Sequence, residues 1–362
     1  MNCSERIEAI FKGELVDRVP FALKGWRIPQ CEMEGILRNE GLCILDSRPV
    51  YSSVSPNIET ETLQFRKEGV DYIKTTLKTP KGMLSSMRKS VPLARVEITS
   101  WQVETMFKTP KDYDAIEFLI SDQQYFPDYE SFVKAREEVG KVAFFKTGAP
   151  GCPLHEFIYR YMDMETFSVE WAENRDRILA LCDIISKNNR KIFSIIAKSP
   201  AMVVQCGGNY APEIYGKERF LKHILPHWEE ATSILHAGGK LVGCHLDANN
   251  KLWAKEVGES KLDWIEAFSP SPDTDMTVAE ARRIWAGKVL FVNFPSAVHL
   301  KTADEIEKTT KQILKEAAPG DRFILGITEN VPENRWRESF YAILKTVNKF
   351  GRLPIEKIAN AS

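Results

Sequence analysis

From residue 141 to about residue 350, short apolar runs alternate with longer amphipathic segments. The runs lie at 142–145, 201–204, 240–243, 262–265, 288–292 and 322–326. The segments between and after them have helical periodicity and lie at about 154–162, 173–196, 213–238, 249–258, 277–286, 302–316 and 333–349. Nearly continuous apolar strands that alternate with helices predict a parallel sheet covered by helices.

The number of predicted strands favours a closed barrel. Six strand–helix units follow residue 141, the second half of 14–24 predicts a further strand, and 70–77 alternates like another. Eight parallel strands with helices between them make a (β/α)8 TIM barrel. A doubly wound open sheet is the alternative, but no GxGxxG or P-loop sequence follows any predicted strand. We therefore expect an α/β TIM barrel that occupies residues 1–362 as one domain.

The first 140 residues are expected to add elements to the barrel. Residues 4–13 have the cap, the apolar stripe and the final glycine of a helix. The strand at 70–77 is followed by a turn sequence at 79–82 and by a partner strand that starts at Met83, which predicts an inserted β-hairpin. The chain thus divides into an N-terminal part, 1–140, and the regular units at 141–350.

Composition and charge argue against several classes of protein. The formal net charge of −1 gives no basis for binding nucleic acid or a lipid surface. No stretch approaches the roughly 18 uninterrupted apolar residues of a membrane span. The seven cysteines are scattered and form no CxxC, which is typical of a reducing compartment. We expect a cytoplasmic protein that binds neither nucleic acid nor a membrane.

Polar side chains follow five successive predicted strands. In a TIM barrel the active site is built from the loops that follow the strands, at their carboxyl ends. We therefore predict an active site at this rim, formed by Asn209, Tyr210, His245, Asp247, Glu266, Asn293 and Glu329.

His245 and Asp247 form the centre of this prediction. Residues i and i+2 of an extended chain point to the same side, so the two side chains reach one point, either as a chelating pair or as a proton-handling pair. With Glu329 they make one imidazole and two carboxylates, the ligand set of a catalytic Zn²⁺ or, less specifically, of Fe²⁺ or Mn²⁺. The alternative is structural, with His245 bonded to Asp247 or a carbonyl and Glu329 paired with a lysine or arginine.

The other residues of the rim have weaker signals. Glu266, Asn209 and Asn293 are candidates for catalytic groups that orient the substrate or donate a proton, Tyr210 is a candidate for binding substrate, and Phe294 is a candidate for the wall of an aromatic pocket. Each also has a structural alternative: the carboxylate and the amides as caps of the following loops and helices, and the aromatic rings as core.

The chain resembles the uroporphyrinogen decarboxylase superfamily along essentially its whole length. The resemblance is carried by the opening segment at 6–20, the turn at 79–82, the Pro-Glu…Phe220…Leu-Pro226 helix, the strand that ends at His245 and the Gly326-Ile-Thr-Glu329 segment. It implies a single (β/α)8 barrel, the fold that the strand count also predicts.

One activity of the superfamily is cofactor-free decarboxylation of the acetate side chains of a tetrapyrrole. Members with this activity carry an Arg-Gln-Ala-Gly-Arg motif after the first strand. The corresponding stretch here is Gly25-Trp-Arg27-Ile-Pro-Gln30, in which only Arg27 corresponds to a motif arginine. On this alternative, Arg27 holds the substrate carboxylates and Asp17 or Asp247 contacts the substrate.

The other activity is zinc-dependent methyl transfer to or from a corrinoid or a thiol. Those members carry His-x-Cys after a strand and a second cysteine near the last strand. His245 matches the histidine, whereas Asp247 replaces the first cysteine and Glu329 stands near the second. This departure implies a metal site with harder ligands, suited to an ether or alcohol oxygen.

From this resemblance we predict a methyltransferase that demethylates a methoxylated, aromatic substrate. Zn²⁺ on His245, Asp247 and Glu329 would polarise the ether oxygen, Arg27 would contact the substrate, and a corrinoid would accept the methyl group. The chain contains no recognisable corrinoid-binding module. The expected partners are therefore a corrinoid-binding protein and the small substrate, and a homodimer is left open.

Overall fold

The structure is a computed structural model that describes residues 1–94 and 97–356. Eight parallel strands close into a barrel in the order β1-β14-β13-β12-β11-β10-β9-β2. They are β1 (Phe21–Leu23), β2 (Cys43–Ser47), β9 (Ala143–Ala149), β10 (Val203–Cys206), β11 (Leu241–His245), β12 (Trp264–Phe268), β13 (Val289–Asn293) and β14 (Phe323–Ile327). The predicted TIM barrel is confirmed.

The assignment of one barrel strand was wrong. The alternating strand at 70–77 lies outside the barrel, and the position next to β1 is taken by β2. β2 begins with three buried residues, whereas only Leu77 is buried in the strand that covers 70–77. A parallel barrel strand is buried on both faces, so a half-exposed alternating pattern indicates an antiparallel sheet instead.

The insertion between β2 and β9 is larger than the predicted hairpin. β4 (Glu59–Lys67), β5 (Val70–Thr79), β6 (Gly82–Ala94) and β7 (Glu97–Glu104) form a four-stranded antiparallel sheet, whose central β5–β6 pair is the hairpin expected from the sequence. β3 (Tyr51–Val54) and β8 (Gln124–Pro127) form a separate two-stranded ribbon.

Helices cover the outside of the barrel and occupy the loops. They are α1 (Cys3–Lys12), α2 (Glu32–Asn39), α3 (Tyr113–Ser121), α4 (Tyr129–Val139), α5 (Pro153–Glu156), α6 (Met164–Glu173), α7 (Arg175–Ala197), α8 (Pro212–Arg219), α9 (Leu225–Ala237), α10 (Ala254–Glu259), α11 (Val278–Ile284), α12 (Ala303–Ala317) and α13 (Trp336–Phe350). No helix in the described part of the chain combines the length and apolar content that crossing a membrane requires.

The long helix predicted at 213–238 is interrupted. Gly216 has φ 60° and ψ 170° inside α8, and a π-helical turn at Phe220–Ile224 joins α8 to α9. Glycine adopts a positive φ at low cost because it has no Cβ. Apolar periodicity alone did not reveal this kink, although the glycine was its signal.

α1 closes the amino end of the barrel. Its Phe11 ring lies edge-on to Trp264, with 5.3 Å between centroids, and stacks on Phe144 at 5.8 Å. Arg6 of the same helix donates to Asp17, with Nε 2.7 Å from Oδ1. Asp17 precedes β1 and therefore lies at the amino end, so the alternative in which Asp17 contacts substrate at the opposite rim is wrong.

Candidate active site at the carboxyl end of the barrel

The lower interior of the barrel is apolar, and the next layer towards the carboxyl end is charged. Phe144, Val203 and Trp264 pack with α1 in one apolar cluster. Side chains two residues further along a strand point to the same side, one layer higher. This periodicity directs a polar group from each of five strands or strand ends towards the barrel axis: Lys24, Lys146, Gln205, His245 and Glu266.

His245 and Glu266 occupy directly paired positions on β11 and β12. Nδ1 of His245 lies 2.8 Å from Oε2 of Glu266, and Nε2 lies 3.1 Å from Oδ2 of Asp247. Burial would lower the pKa of His245, but hydrogen bonds to Asp247 and Glu266 outweigh it and raise the pKa to about 9. The imidazole is thus held between two carboxylates, and the expected meeting of His245 and Asp247 is observed.

Glu266 is fully buried and is neutralised by two lysines. Its Oε1 lies 3.2 Å from Nζ of Lys146 and 3.7 Å from Nζ of Lys24. Burial would raise the pKa of Glu266, but the charges of Lys146 and Lys24 and the hydrogen bond from His245 hold the pKa well below its ordinary value. Lys146 is itself only 1% exposed and also donates to Gln205. Buried charges need such partners because desolvation is otherwise costly.

A β-bulge follows Glu266 and fixes the end of β12. Ala267 has φ 59°, and the register between β12 and β13 shifts between Ile265 and Phe268. A bulge of this kind redirects the side chains on either side of it. The carbonyl of Ala267 accepts a hydrogen bond of 3.3 Å from Nδ2 of Asn293, so the bulge is tied to the neighbouring strand.

Glu329 and Arg27 lie on the outer rim. Burial, and then the charge of Asp247, raises the pKa of Glu329, while Arg27 opposes this shift. The Arg27 guanidinium lies 3.9 Å from the ring centroid of Trp26 and donates to the side chain of Asn330. Glu329 is therefore in electrostatic range of His245 and Asp247.

A sequence profile described as "Uroporphyrinogen decarboxylase (URO-D)" matches residues 96–350. The chain belongs to the uroporphyrinogen decarboxylase family. The matched region contains six of the eight barrel strands, including those that carry His245 and Glu266.

The fold of this family member is similar to that of a methyltransferase from Methanosarcina mazei. The two chains are 12% identical, with a TM-score of 0.60 over 97% of this chain and 99% of the other. A B12-independent methionine synthase from Shewanella sp. W3-18-1 in complex with selenomethionine is a more distant match, with 11% identity and a TM-score of 0.43 over 92% and 97% of the two chains. No curated protein matches the sequence. At these identities the likeness concerns the fold.

The three ligands predicted for a metal are only partly assembled in this family member. Across residues 1–94 and 97–356, no three His, Cys, Asp or Glu side chains are grouped in a way that holds a metal ion. The positions of His245 and Asp247 are compatible with two ligands of one metal ion. Two ligand atoms of a tetrahedral Zn²⁺, each about 2.0–2.1 Å from the ion, are about 3.3 Å apart, and Nε2 of His245 lies 3.1 Å from Oδ2 of Asp247. The bond from Nδ1 to the Glu266 carboxylate is the usual support of a metal-bound histidine.

Asn293, Tyr210 and Phe294 lie inside the protein. Asn293 is 1% exposed, and its Oδ1 accepts from the backbone N–H and the hydroxyl of Thr328 at 3.1 and 2.9 Å. Tyr210 is completely buried, and its hydroxyl accepts from the backbone N–H of Cys152 at 2.9 Å. Phe294 is 1% exposed. These environments favour the structural alternative for all three residues.

Asn209 remains accessible at the rim. It is exposed, has φ 56°, and its carbonyl accepts a 3.2 Å hydrogen bond from the hydroxyl of Tyr159. The positive φ turns the chain sharply after β10, which is compatible with contact to a bound molecule.

Three members of the charged layer were missed by the sequence reasoning: Lys24, Lys146 and Gln205. The predicted strand at 142–145 stopped one residue before Lys146, because a lysine inside an apolar run resembles the end of a strand. The period of two along a strand could have identified Lys146, because it places Lys146 on the same face of the strand as Phe144.

Proposed function

We propose that this protein is a metal-dependent methyltransferase that moves a methyl group from a methoxylated, aromatic substrate to a corrinoid held by a separate protein. The observation that carries the proposal is the series Asp247–His245–Glu266, in which one nitrogen of the imidazole faces the partly exposed Asp247 carboxylate at 3.1 Å and the other is anchored to the fully buried Glu266 at 2.8 Å. A series of this form supports a metal on Nε2. The likeness in fold to a methyltransferase from Methanosarcina mazei is consistent with it.

The chain's own residues prepare this site in a defined order. Lys146 and Lys24 keep Glu266 ionised, and Glu266 accepts a hydrogen bond from Nδ1 of His245 and so orients the ring. Nε2 then points towards Asp247. Bound at His245 and Asp247, with Glu329 as the candidate third ligand, Zn²⁺ would supply a Lewis acid that stabilises negative charge on the leaving ether oxygen.

The rim supplies the residues that would hold the substrate. Trp26 is 39% exposed and carries the Arg27 guanidinium on its face, and Asn209 lies exposed after β10. An aromatic ring with a polar edge would find a flat apolar partner and hydrogen-bonding groups here. We propose that Arg27 and Asn209 orient the substrate and that the corrinoid protein docks over the same opening.

Elemental analysis combined with an activity assay tests the proposal. The wild-type protein, His245→Ala and Asp247→Ala are analysed for bound metal and assayed for methyl transfer from methoxybenzoates to free cob(I)alamin. We expect about one metal per chain in the wild type and loss of both metal and activity in the variants. His236→Ala is the matched control, because it removes another histidine–carboxylate pair, 2.8 Å from Asp263, away from the site. Full activity of His245→Ala without bound metal would refute the mechanism.

A decarboxylase is the second candidate function. The observation in its favour is Arg27 at the outer rim, whose guanidinium lies 3.9 Å from the ring centroid of Trp26 and which corresponds to a carboxylate-binding arginine of the superfamily. Metal-free protein incubated with uroporphyrinogen distinguishes the two candidates. Formation of decarboxylated tetrapyrrole, lost in Arg27→Ala, would establish the decarboxylase.

A further inference from the structure

A second pocket lies among the helices that follow β9 and β10. It has a volume of about 490 Å³ and is separate from the charged layer of the barrel. Its walls are the end of α6, the first turns of α7, the kinked α8 and the π-helical turn after it. Its lining side chains include Trp171, Arg175, Tyr215, Arg219, Lys222 and His223.

The pocket stands at the same end of the molecule as the candidate active site. α7 runs over 23 residues and leads back towards β10. Asn189, in the second half of this helix, donates to the carbonyl of Gly151 in the loop after β9. About 20 Å of helix separates Asn189 from Arg175 at about 1.5 Å per residue, so the first turns of α7 extend beyond the barrel rim.

Positive charge predominates in this pocket. Four lining side chains are cationic, namely Arg175, Lys217, Arg219 and Lys222, and Glu218 is the one carboxylate among the lining residues. Glu218 is paired with Lys222 at 2.8 Å, and Lys217 is paired with Glu256 at 2.8 Å. Within the described ranges of the chain, no ion pair joins Arg175 or Arg219 to a carboxylate.

The two arginines are held by an aromatic ring. The guanidinium of Arg175 lies 5.0 Å from the centroid of Trp171 and that of Arg219 lies 5.8 Å from it. Nε of Arg219 donates to the carbonyl of Tyr215 at 3.0 Å, and Nε of Arg175 donates to that of Trp171 at 3.3 Å. These contacts engage Nε of each side chain, so the terminal nitrogens of both guanidinium groups remain for the oxygens of an anionic ligand.

A histidine in the wall of the pocket is affected by the same positive charges. The His223 ring stands edge-on to Trp171 at 5.6 Å. Burial, and then the charges of Lys222 and Arg219, lower the pKa of His223. A neutral imidazole in this position adds a hydrogen-bonding group without further charge.

We propose that this pocket binds a small molecule that bears a phosphate group, with Arg175 and Arg219 contacting the phosphate and Trp171 packing against the rest of the ligand. Planar guanidinium groups match the geometry of phosphate oxygens, and an aromatic neighbour favours a ligand with an unsaturated ring. The proposal is independent of the methyl-transfer reaction, because none of these residues belongs to the barrel layer.

Isothermal titration calorimetry with phenyl phosphate and with inorganic phosphate tests the proposal on the full chain. We expect one phenyl phosphate per chain, bound more tightly than inorganic phosphate. Arg175→Ala and Arg219→Ala are each expected to weaken binding by about tenfold or more, as loss of a charge-assisted hydrogen bond does.

Arg177→Ala is the matched control. Arg177 lies on the same helix two residues from Arg175, but its guanidinium is paired with Asp114 at 2.6 Å and Glu117 at 2.8 Å and does not line the pocket. It should bind phenyl phosphate within about twofold of the wild type. Equal weakening in Arg177→Ala would show a diffuse charge effect and overturn the proposal.

Two further measurements make the outcome decisive. Arg219→Lys keeps the charge and should still bind less well than the wild type, since lysine lacks the planar fork; thermal melting shows whether each variant is folded. Absence of wild-type binding at millimolar phenyl phosphate would overturn the proposal. So would competition by polyglutamate at equal charge concentration, which would assign the pocket to a protein-docking surface.

Discussion

Glu266 Oε2 lies 2.8 Å from His245 Nδ1, and the other oxygen of the same carboxylate, Oε1, forms an ion pair with Nζ of Lys146 at 3.2 Å. The fully buried side chain of Glu266 thus connects the buried lysine to the imidazole. Removing it would affect both the stability of the fold and the orientation of the ring.

Glu266→Gln should strongly destabilise the fold. The amide keeps the shape of the side chain but leaves Lys146 buried without its counter-ion, which typically costs about 3–5 kcal/mol of unfolding free energy. Urea denaturation measures the loss. Glu259→Gln is the control: its carboxylate is 67% exposed and lies 3.8 Å from Lys255, so the change should stay below about 1 kcal/mol. Lys146→Met added to Glu266→Gln should recover part of the loss, and no recovery would contradict the pairing.

Metal affinity should depend on Glu266 although it is not a predicted ligand. Loss of a carboxylate that anchors a metal-bound histidine typically lowers metal affinity by about 10–100-fold. Competition with a chromophoric chelator on Glu266→Gln, compared with wild type and Asp247→Asn, measures the effect. Asp247→Asn should be at least as severe, because it alters a proposed ligand. Unchanged affinity in both variants would remove His245 and Asp247 from the proposed metal site.

Acid should destabilise the protein through His227. This side chain is 7% exposed, and burial lowers its pKa to about 4, against about 6.5 when unfolded. The unfolded state therefore binds more protons between these values, and about 3 kcal/mol of stability should be lost as the pH falls from about 6.5 to about 4. Denaturation at several pH values should show a shallower dependence for His227→Gln. Above pH 7 the plots of unfolding free energy against pH should be parallel for the two proteins. Parallel plots between about pH 4 and about pH 6.5 as well would contradict the prediction.

Phe11→Ala should weaken the closure of the barrel. The ring is 3% exposed and fits between Trp264 and Phe144, and truncating such a side chain typically costs about 3–5 kcal/mol. Thermal melting with Leu15→Ala as control checks this, since Leu15 is 85% exposed and its loss should be nearly neutral. Equal melting temperatures would mean that α1 does not stabilise the barrel.

The barrel itself was predictable because its later strands are buried on both faces and separated by helices of clear periodicity. The pair His245–Asp247 was predictable for the same local reason, the period of two along a strand. β2 was missed since its apolar part, Cys43 to Leu45, is only three residues long and resembles a loop, whereas the exposed alternation of β5 resembles a strand.

The charged layer required the register between strands. Lys146 on β9 and Glu266 on β12 are far apart in sequence and belong to strands that are not neighbours in the sheet. Only closure of the barrel brings them together across its axis. The pairing of Glu266 with His245 likewise depends on the parallel register of β11 and β12, which local sequence patterns do not define.

α1 packs into the amino end of the barrel, and the candidate active site lies at the carboxyl end. On the proposed function, methyl donor and methyl acceptor must therefore use the same entrance. Displacement at a methyl carbon requires the acceptor to approach opposite the departing oxygen. The substrate would have to enter oxygen first, towards His245 and Asp247, and present its methyl group outwards. The demethylated product would then leave only after the carrier protein withdraws. The substrate would therefore bind before the carrier protein, and the methylated carrier would dissociate before the demethylated product.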